Sequence, residues 1–97
     1  MKILVTEFAS TEFNEICLYY FSQNPVLKLM FALEVSRSFS IIKEYPSLGK
    51  TIDNHLRQTL MSKFPYRIIY SVKSDHIAII AFAHQHRKPN YFSLSEP

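Results

Sequence analysis

The residues best suited to chemistry are clustered near the end of the chain. Histidines, cations and a tyrosine follow one another in a short stretch: His84, His86, Arg87, Lys88 and Tyr91. Imidazoles exchange protons near neutral pH, and arginine and lysine stabilise negative charge on a phosphate or carboxylate. Two further arginines, Arg57 and Arg67, lie earlier in the same half of the sequence. This composition predicts a surface for an anionic polymer or an acidic protein partner.

The same residues do not predict a metal site. His84 and His86 form a His-x-His pair and His76 precedes them, but no fixed fourth ligand accompanies the three histidines. The single cysteine, Cys17, excludes an intramolecular disulfide and favours a reducing, cytoplasmic location. The single glycine, Gly49, excludes the glycine-rich loops that bind nucleotides. We therefore expect neither a metal nor another cofactor.

Charge is unevenly distributed along the chain, which has a net charge of +3. Residues 1–48 carry four Lys and Arg against five acids, whereas residues 49–97 carry seven against three. The asymmetry favours an acidic partner for the second half. No apolar run approaches the roughly 20 residues that a membrane span needs, and the first ten residues are too polar for a signal peptide. We therefore expect no membrane association.

Two strands must position the histidines and cations. Residues 66–72 and 77–83 are rich in β-branched and aromatic residues and flank a polar break, which predicts an antiparallel hairpin. The second strand is apolar on both faces, so we expect it inside the sheet with helices covering one side. Residues 55–63 alternate loosely and predict another strand, whereas residues 50–54 are polar and predict a loop.

The first half of the chain predicts a short strand and a helical hairpin. Residues 3–5 form the strand, Thr6 caps the first helix, and Asn24 with Pro25 begins a second helix that runs to Lys43. Apolar residues at helical spacing predict the core faces, namely Ala9, Phe13, Ile16, Cys17 and Tyr20 in the first helix and Leu29, Ala32, Val35, Phe39 and Ile42 in the second. The turn at residues 46–49 ends the second helix.

A second set of apolar residues lies outside these core stripes. We predict that Tyr19, Phe21, Phe31 and Leu33 are exposed on the hairpin. A helix face this apolar favours a protein partner over water. The whole pattern predicts one α+β domain over residues 1–97, in the order β-α-α-β-β-β, with the hairpin packed on a small, largely antiparallel sheet. Residues 93–97 are expected to fray.

Several motifs together resemble the RelE/ParE superfamily of bacterial type II toxin–antitoxin toxins. They are the Pro-x-x-Gly turn at residues 46–49, the strand containing Arg57, FPYRIIY at residues 64–70 and AHQHRKPNYF at residues 83–92. The resemblance covers essentially the whole chain and is closer to the ParE, plasmid-stabilisation type. It implies a toxin that arrests growth and forms a hetero-oligomer with a cognate antitoxin.

Within this superfamily, RelE-like members cut mRNA on the ribosome and ParE-like members inhibit DNA gyrase. RelE-like toxins use lysines on the strand before a Tyr-Arg pair, that arginine, a second arginine and a tyrosine in the tail. Arg67 and Tyr91 match, but Gln58, Leu60 and Gln85 stand where cations are expected. Cleavage requires cations for the charge that builds on the phosphate. The resemblance therefore implies a gyrase inhibitor that binds its target rather than an enzyme.

Two alternatives remain open on the sequence. One is a metal-independent, ribosome-dependent endoribonuclease that acts on mRNA through Arg67, His86, Arg87 and Tyr91. The other is an antitoxin-binding domain with degenerate toxicity. For the gyrase inhibitor, the predicted target-binding residues are Arg57, Arg67, His84, His86, Arg87, Lys88 and Tyr91. The predicted antitoxin-binding residues are Tyr19, Phe21, Phe31 and Leu33.

Overall fold

A computed structural model describes residues 1–53 and 55–86. Its elements are β1 (Lys2–Val5), α1 (Glu7–Gln23), α2 (Pro25–Glu44), β2 (Lys50–Thr51), β3 (Arg57–Leu60), β4 (Tyr66–Val72) and β5 (His76–His84). The strands form one sheet in the order β1-β5-β4-β3-β2, with the two helices packed on it. The predicted α+β fold is confirmed. The predictions for Arg87, Lys88, Tyr91 and residues 93–97 lie outside the described residues.

Local capping signals fix both ends of the helical hairpin. The Thr6 hydroxyl accepts a hydrogen bond from the Ala9 N–H at 3.2 Å, and the Asn24 side chain accepts one from the Val26 N–H at 2.9 Å. Each bond satisfies an N–H that has no partner inside the first turn of its helix. Pro25 occupies the start of α2, where its missing N–H costs nothing. The predicted caps are confirmed.

The sheet is mixed because β1 pairs in parallel with β5, while the remaining neighbours are antiparallel. β4 matches its predicted bounds, and β5 lies inside the sheet as predicted. Two predictions were wrong. β2 falls within the predicted loop, and β3 is shorter than residues 55–63. The Asp53 carboxylate shortens β3, because it accepts hydrogen bonds from the N–H groups of His55 and Leu56 and holds them in a turn.

The core between helices and sheet is built around Phe31, which has no exposed surface. Its ring lies 5.3 Å from Phe64 and 5.6 Å from Tyr20, centroid to centroid. The prediction that Phe31 is exposed was therefore wrong. Leu29, predicted in the core, is 62% exposed. The two residues are separated by roughly 200° around the helix, so α2 can bury only one of them against the sheet.

Two glutamates, the buried Glu34 and the partly buried Glu12, connect the helices to the sheet. Glu34 on α2 accepts hydrogen bonds from the N–H groups of Ser62 at 2.6 Å and Lys63 at 3.1 Å, which fixes the turn between β3 and β4. Glu12 on α1 accepts one from the Phe82 N–H at 2.8 Å, beyond the end of β1. These bonds satisfy backbone donors that the sheet leaves unpaired. Neither described helix has the length and apolarity that crossing a membrane requires.

Candidate functional site

Arg67 projects from β4 on the face of the sheet away from the helices, opposite Ala83 of β5. Its Nη1 donates a hydrogen bond of 2.7 Å to the Gln58 side-chain oxygen on β3. Only 7% of the residue is exposed. The structure therefore places this predicted target-binding arginine within the sheet, where a neutral amide orients its guanidinium.

Arg57 is the first residue of β3, which lies next to the edge strand β2, and its side chain bonds to the turn after α2. Its Nη1 donates to the Ser47 carbonyl at 3.1 Å and to the Gly49 carbonyl at 2.9 Å. The buried Tyr70 hydroxyl supports the same turn by donating to the Pro46 carbonyl at 2.8 Å and accepting from the Gly49 N–H at 2.9 Å. Arg57 thus stabilises the predicted Pro-x-x-Gly turn, and its side chain is partly withdrawn from solvent.

His84 and His86 lie together at the end of β5. Their ring centroids are 5.3 Å apart, and His84 also contacts the Tyr66 ring at 5.4 Å and 79°. The His86 N–H donates to the Nδ1 of His84 at 3.2 Å, so that nitrogen carries no proton in this arrangement. His84 is half-buried and His86 is exposed. Of the two imidazoles, only the His86 ring is freely accessible to a partner.

His76 lies at the other end of β5, so the three histidines are not gathered. A strand of this length separates His76 from His84 by roughly 25 Å. His76 instead contacts the Asp75 carboxylate at 2.8 Å, and this hydrogen bond holds the pKa of Asp75 below its usual value. In the part of the chain that the structure describes, no group of three or more His, Cys, Asp or Glu side chains could hold a metal ion.

Tyrosines continue the line of rings from His84 toward the hairpin. The Tyr20 hydroxyl is hydrogen bonded to Tyr66, and the Tyr19 and Tyr20 rings meet edge to face at 5.3 Å. Burial, followed by the neighbouring tyrosines, raises the pKa of Tyr20, and burial is also the main cause of the raised pKa of Tyr66. Both phenols therefore stay neutral at physiological pH. This continuity between the helices and the end of β5 was not predicted from the sequence.

The helical hairpin carries a large exposed apolar surface. Tyr19, Phe21 and Leu33 are 57%, 52% and 59% exposed, as predicted. Leu18 and Leu29 are also exposed, at 69% and 62%, which was not predicted. The signal for Leu18 is its place outside the predicted core stripe of α1, whereas Leu29 belongs to the predicted core stripe of α2 and carries no such signal.

A groove of about 530 Å³ runs along α1 in this surface. It is lined by Phe13, Asn14, Cys17, Leu18 and Phe21 of α1 and by Lys28 of α2. The Lys28 ammonium lies 5.6 Å from the centre of the Phe21 ring, within range of a cation–π contact. Burial raises the pKa of the Cys17 thiol, so this cysteine remains protonated and behaves as a small apolar side chain. The groove is therefore apolar with one cation at its wall.

Gln58, Leu60 and Gln85 stand where the resemblance to RelE-like toxins implies cations, and all three side chains are neutral. Gln58 is held by Arg67, Leu60 is 63% exposed, and Gln85 donates its backbone N–H to the Pro65 carbonyl at 2.9 Å. None of the three side chains can balance charge on a phosphate. The geometry around Arg67 therefore provides hydrogen bonding and packing, and its described neighbours at these positions add no positive charge.

Comparisons with known proteins agree with this architecture. The family model for the ParE toxin of type II toxin–antitoxin systems, parDE, matches residues 3–89. A solved structure described as the chromosomal ParDE TA system from P. aeruginosa is similar, with a TM-score of 0.75 over 87% of this chain and 95% of that chain. Its 16% sequence identity makes this a likeness of fold. The search of curated proteins gave no match. From the family match over nearly its whole length, the chain belongs to the ParE toxin family of type II toxin–antitoxin systems.

Proposed function

We propose that this ParE-family toxin inhibits DNA gyrase by binding it and that a cognate antitoxin neutralises it by covering the helical hairpin. The observation that supports binding over RNA cleavage is the environment of Arg67. Arg67 is 7% exposed, its guanidinium is bonded to Gln58, and the positions expected to supply further cations are neutral. An endoribonuclease needs an accessible, positively charged site around the scissile phosphate. Arg67 is buried and its neighbours at these positions are neutral, so this site is poorly suited to RNA cleavage.

The target surface is proposed to lie at the end of β5. His86 is exposed there, and Arg87 and Lys88 follow it in the sequence. Arg67 and Arg57 are proposed to act indirectly, through the sheet and the turn that they bond to. His84 is proposed to hold His86 in place, because its Nδ1 accepts a hydrogen bond from the His86 backbone N–H. Tyr91 remains a proposed contact on the sequence alone.

We expect the purified toxin to inhibit supercoiling by gyrase without cutting translated mRNA. Replacing both Arg87 and Lys88 by glutamate is expected to weaken inhibition by about tenfold or more, since two charges near the contact change sign. The control is Lys43→Glu, an exposed cation in the last turn of α2. Supercoiling assays and primer extension on ribosome-bound mRNA measure the two activities in parallel.

The alternatives give different results in the same assays. Ribosome-dependent cleavage that disappears in Arg67→Ala, with supercoiling unaffected, would establish an endoribonuclease in place of the gyrase inhibitor. A protein that binds its antitoxin but arrests growth in neither way would be a domain with degenerate toxicity. Circular dichroism confirms that each variant is folded before its activity is compared.

The antitoxin is proposed to contribute an amphipathic helix to the apolar surface of the hairpin. Tyr19, Phe21 and Leu33 would contact its apolar face, and the groove along α1 would receive its larger side chains. Lys28 at the groove wall favours an acidic residue in the antitoxin segment. Such a helix in a groove is a common mode of peptide recognition.

Replacing Phe21 or Leu33 by aspartate is expected to weaken antitoxin binding by about tenfold or more, because each change puts a charge into an apolar contact. The matched control is Leu48→Asp, since Leu48 is also exposed but lies in the turn after α2. Isothermal titration with the antitoxin encoded beside this gene provides the measurement. Equal loss in all three variants would place the antitoxin elsewhere.

A further inference from the structure

The side of the sheet that points away from the helices is apolar and buried. Ile69, Ala81 and Ala83 have no exposed surface there, and Leu56 and Ile80 are each 3% exposed. These five residues form the outer face. Helices α1 and α2 bury their core stripes against the other side of the sheet. The outer face therefore needs a cover of its own, because a sheet without a second layer leaves one side in contact with water.

A bulge in β5 shapes the outer face. Ile69 pairs with Ala81 whereas Tyr70 pairs with Ile79, so Ile80 is an extra residue between the two pairs. The extra residue interrupts the alternation of side chains, and Ile80 and Ala81 both pack in the outer face. The alanines of β5 are small, so they leave depth above the strand for large side chains from a facing layer.

The described chain reaches the outer face from the margins of the sheet. Phe8 and Ile52 are the partly buried apolar residues that pack against it in the described part of the chain. Phe8 follows β1 and Ile52 follows β2, and these two strands are the edges of the sheet. Ile69, Ala81 and Ala83 belong to β4 and β5, which lie inside the sheet. Their complete burial requires a further segment over the interior strands.

We propose that residues 87–92 fold back over the outer face as a strap, with Tyr91 and Phe92 supplying the apolar cover. The described chain ends at His86, two residues beyond β5. Six extended residues span roughly 20 Å, which is enough to turn back and pass over the alanines of β5. Large rings facing small side chains fill the space between two layers without voids.

The strap also closes over Arg67, which lies on the same side of the sheet opposite Ala83 and is 7% exposed. An external phosphate reaches this arginine only after the strap has left the sheet. Tyr91 then acts as an anchor, and the proposed target surface is left to His86 and the cations that follow it in the sequence. The inference does not depend on gyrase, because docking of the strap is a property of the toxin alone.

The first test measures burial of the strap in the full chain. The sequence contains no tryptophan, so Phe92→Trp introduces a single fluorophore. Docking is expected to shift its emission to shorter wavelength and to make acrylamide quenching at least about threefold weaker than in Tyr45→Trp, whose position is 57% exposed. Equal quenching in the two variants overturns the proposal. It is also overturned if the protection disappears on dilution, since the cover would then come from a second copy of the chain.

The second test locates the strap on the molecule and keeps Phe92, so it does not depend on whether the larger tryptophan fits. Ser93→Cys carries a nitroxide spin label, and Cys17→Ala removes the single native cysteine. The label is expected to broaden the amide resonances of Ile69 and Ala81 more strongly than that of Leu29, which is exposed on α2. Broadening at Leu29 that equals or exceeds that at Ala81 overturns the proposal.

Discussion

Replacing Phe31 by alanine is expected to lower the free energy of unfolding by about 3–5 kcal/mol. The ring is fully buried and lies within 5.8 Å, centroid to centroid, of Phe13, Tyr20, Phe64 and Tyr66, so its removal leaves a cavity that these rings cannot easily fill. A domain of this size is stable by about 5–15 kcal/mol, and the loss is a large share of that. Urea unfolding followed by circular dichroism measures the change.

Leu33→Ala is the matched control because it removes a large apolar side chain from the same helix. Leu33 is 59% exposed, so its loss is expected to change stability by less than about 0.5 kcal/mol. The pair also separates fold from recognition, because Leu33 belongs to the surface proposed for the antitoxin and Phe31 does not. If both variants lost similar stability, α2 would have a different rotation about its axis from the one described.

Gly49→Ala is expected to destabilise the fold for reasons of space rather than backbone conformation. Gly49 does not have a positive φ angle. A Cβ at this position would lie 2.9 Å from the Gln58 carbonyl oxygen and closer still to the Tyr70 hydroxyl. Overpacking of this kind costs about 1–3 kcal/mol. Displacement of the Tyr70 ring would add about 1–3 kcal/mol by breaking its bonds to the turn.

A double-mutant cycle with Tyr70→Phe tests this cause. Tyr70→Phe alone removes the hydroxyl that donates to Pro46 and accepts from Gly49, so it is expected to cost about 1–3 kcal/mol. In the double variant the new methyl no longer meets the hydroxyl, although the Tyr70 ring carbon Cε1 at 2.8 Å and the Gln58 carbonyl oxygen at 2.9 Å remain. The combined loss is therefore expected to fall short of the sum by about 0.5–3 kcal/mol. Strictly additive losses in thermal or urea unfolding would show that the Tyr70 hydroxyl does not clash with a methyl group at position 49.

The turn at residues 46–49 affects how variants of Arg57 are interpreted. Arg57 bonds to the carbonyls of Ser47 and Gly49, so a variant of this arginine perturbs the turn as well as any target contact. Arg67 is similarly tied to Gln58. If a variant of either arginine loses toxicity, its stability must also be measured, because the loss could come from a perturbed fold instead of a lost target contact. The exposed His86 is the cleaner probe of target binding, because its side chain bonds to no other element in the described chain.

The amino-acid sequence by itself determined the elements whose signals are local. Thr6, Asn24 and Pro25 fix the helix starts through bonds to residues two or three positions away, and the bounds of β4 follow from its composition. The motifs of the last third also determined the family, since they depend on residue order alone. These predictions succeed because no distant contact has to be known.

The tertiary structure decided which side of each element is buried and what the candidate residues do. Helix α2 carries apolar residues on more than one face, and periodicity cannot tell which face meets the sheet. Phe31 is buried and Leu29 is exposed because the rings of Tyr20, Phe64 and Tyr66, from three other segments, surround only one of those faces. Likewise, Arg67 looks like a free cation in the sequence, and only the pairing of β3 with β4 brings it to the amide of Gln58. Rotation about a helix and register across a sheet are set by contacts between residues far apart in the chain, and local sequence patterns do not contain that information.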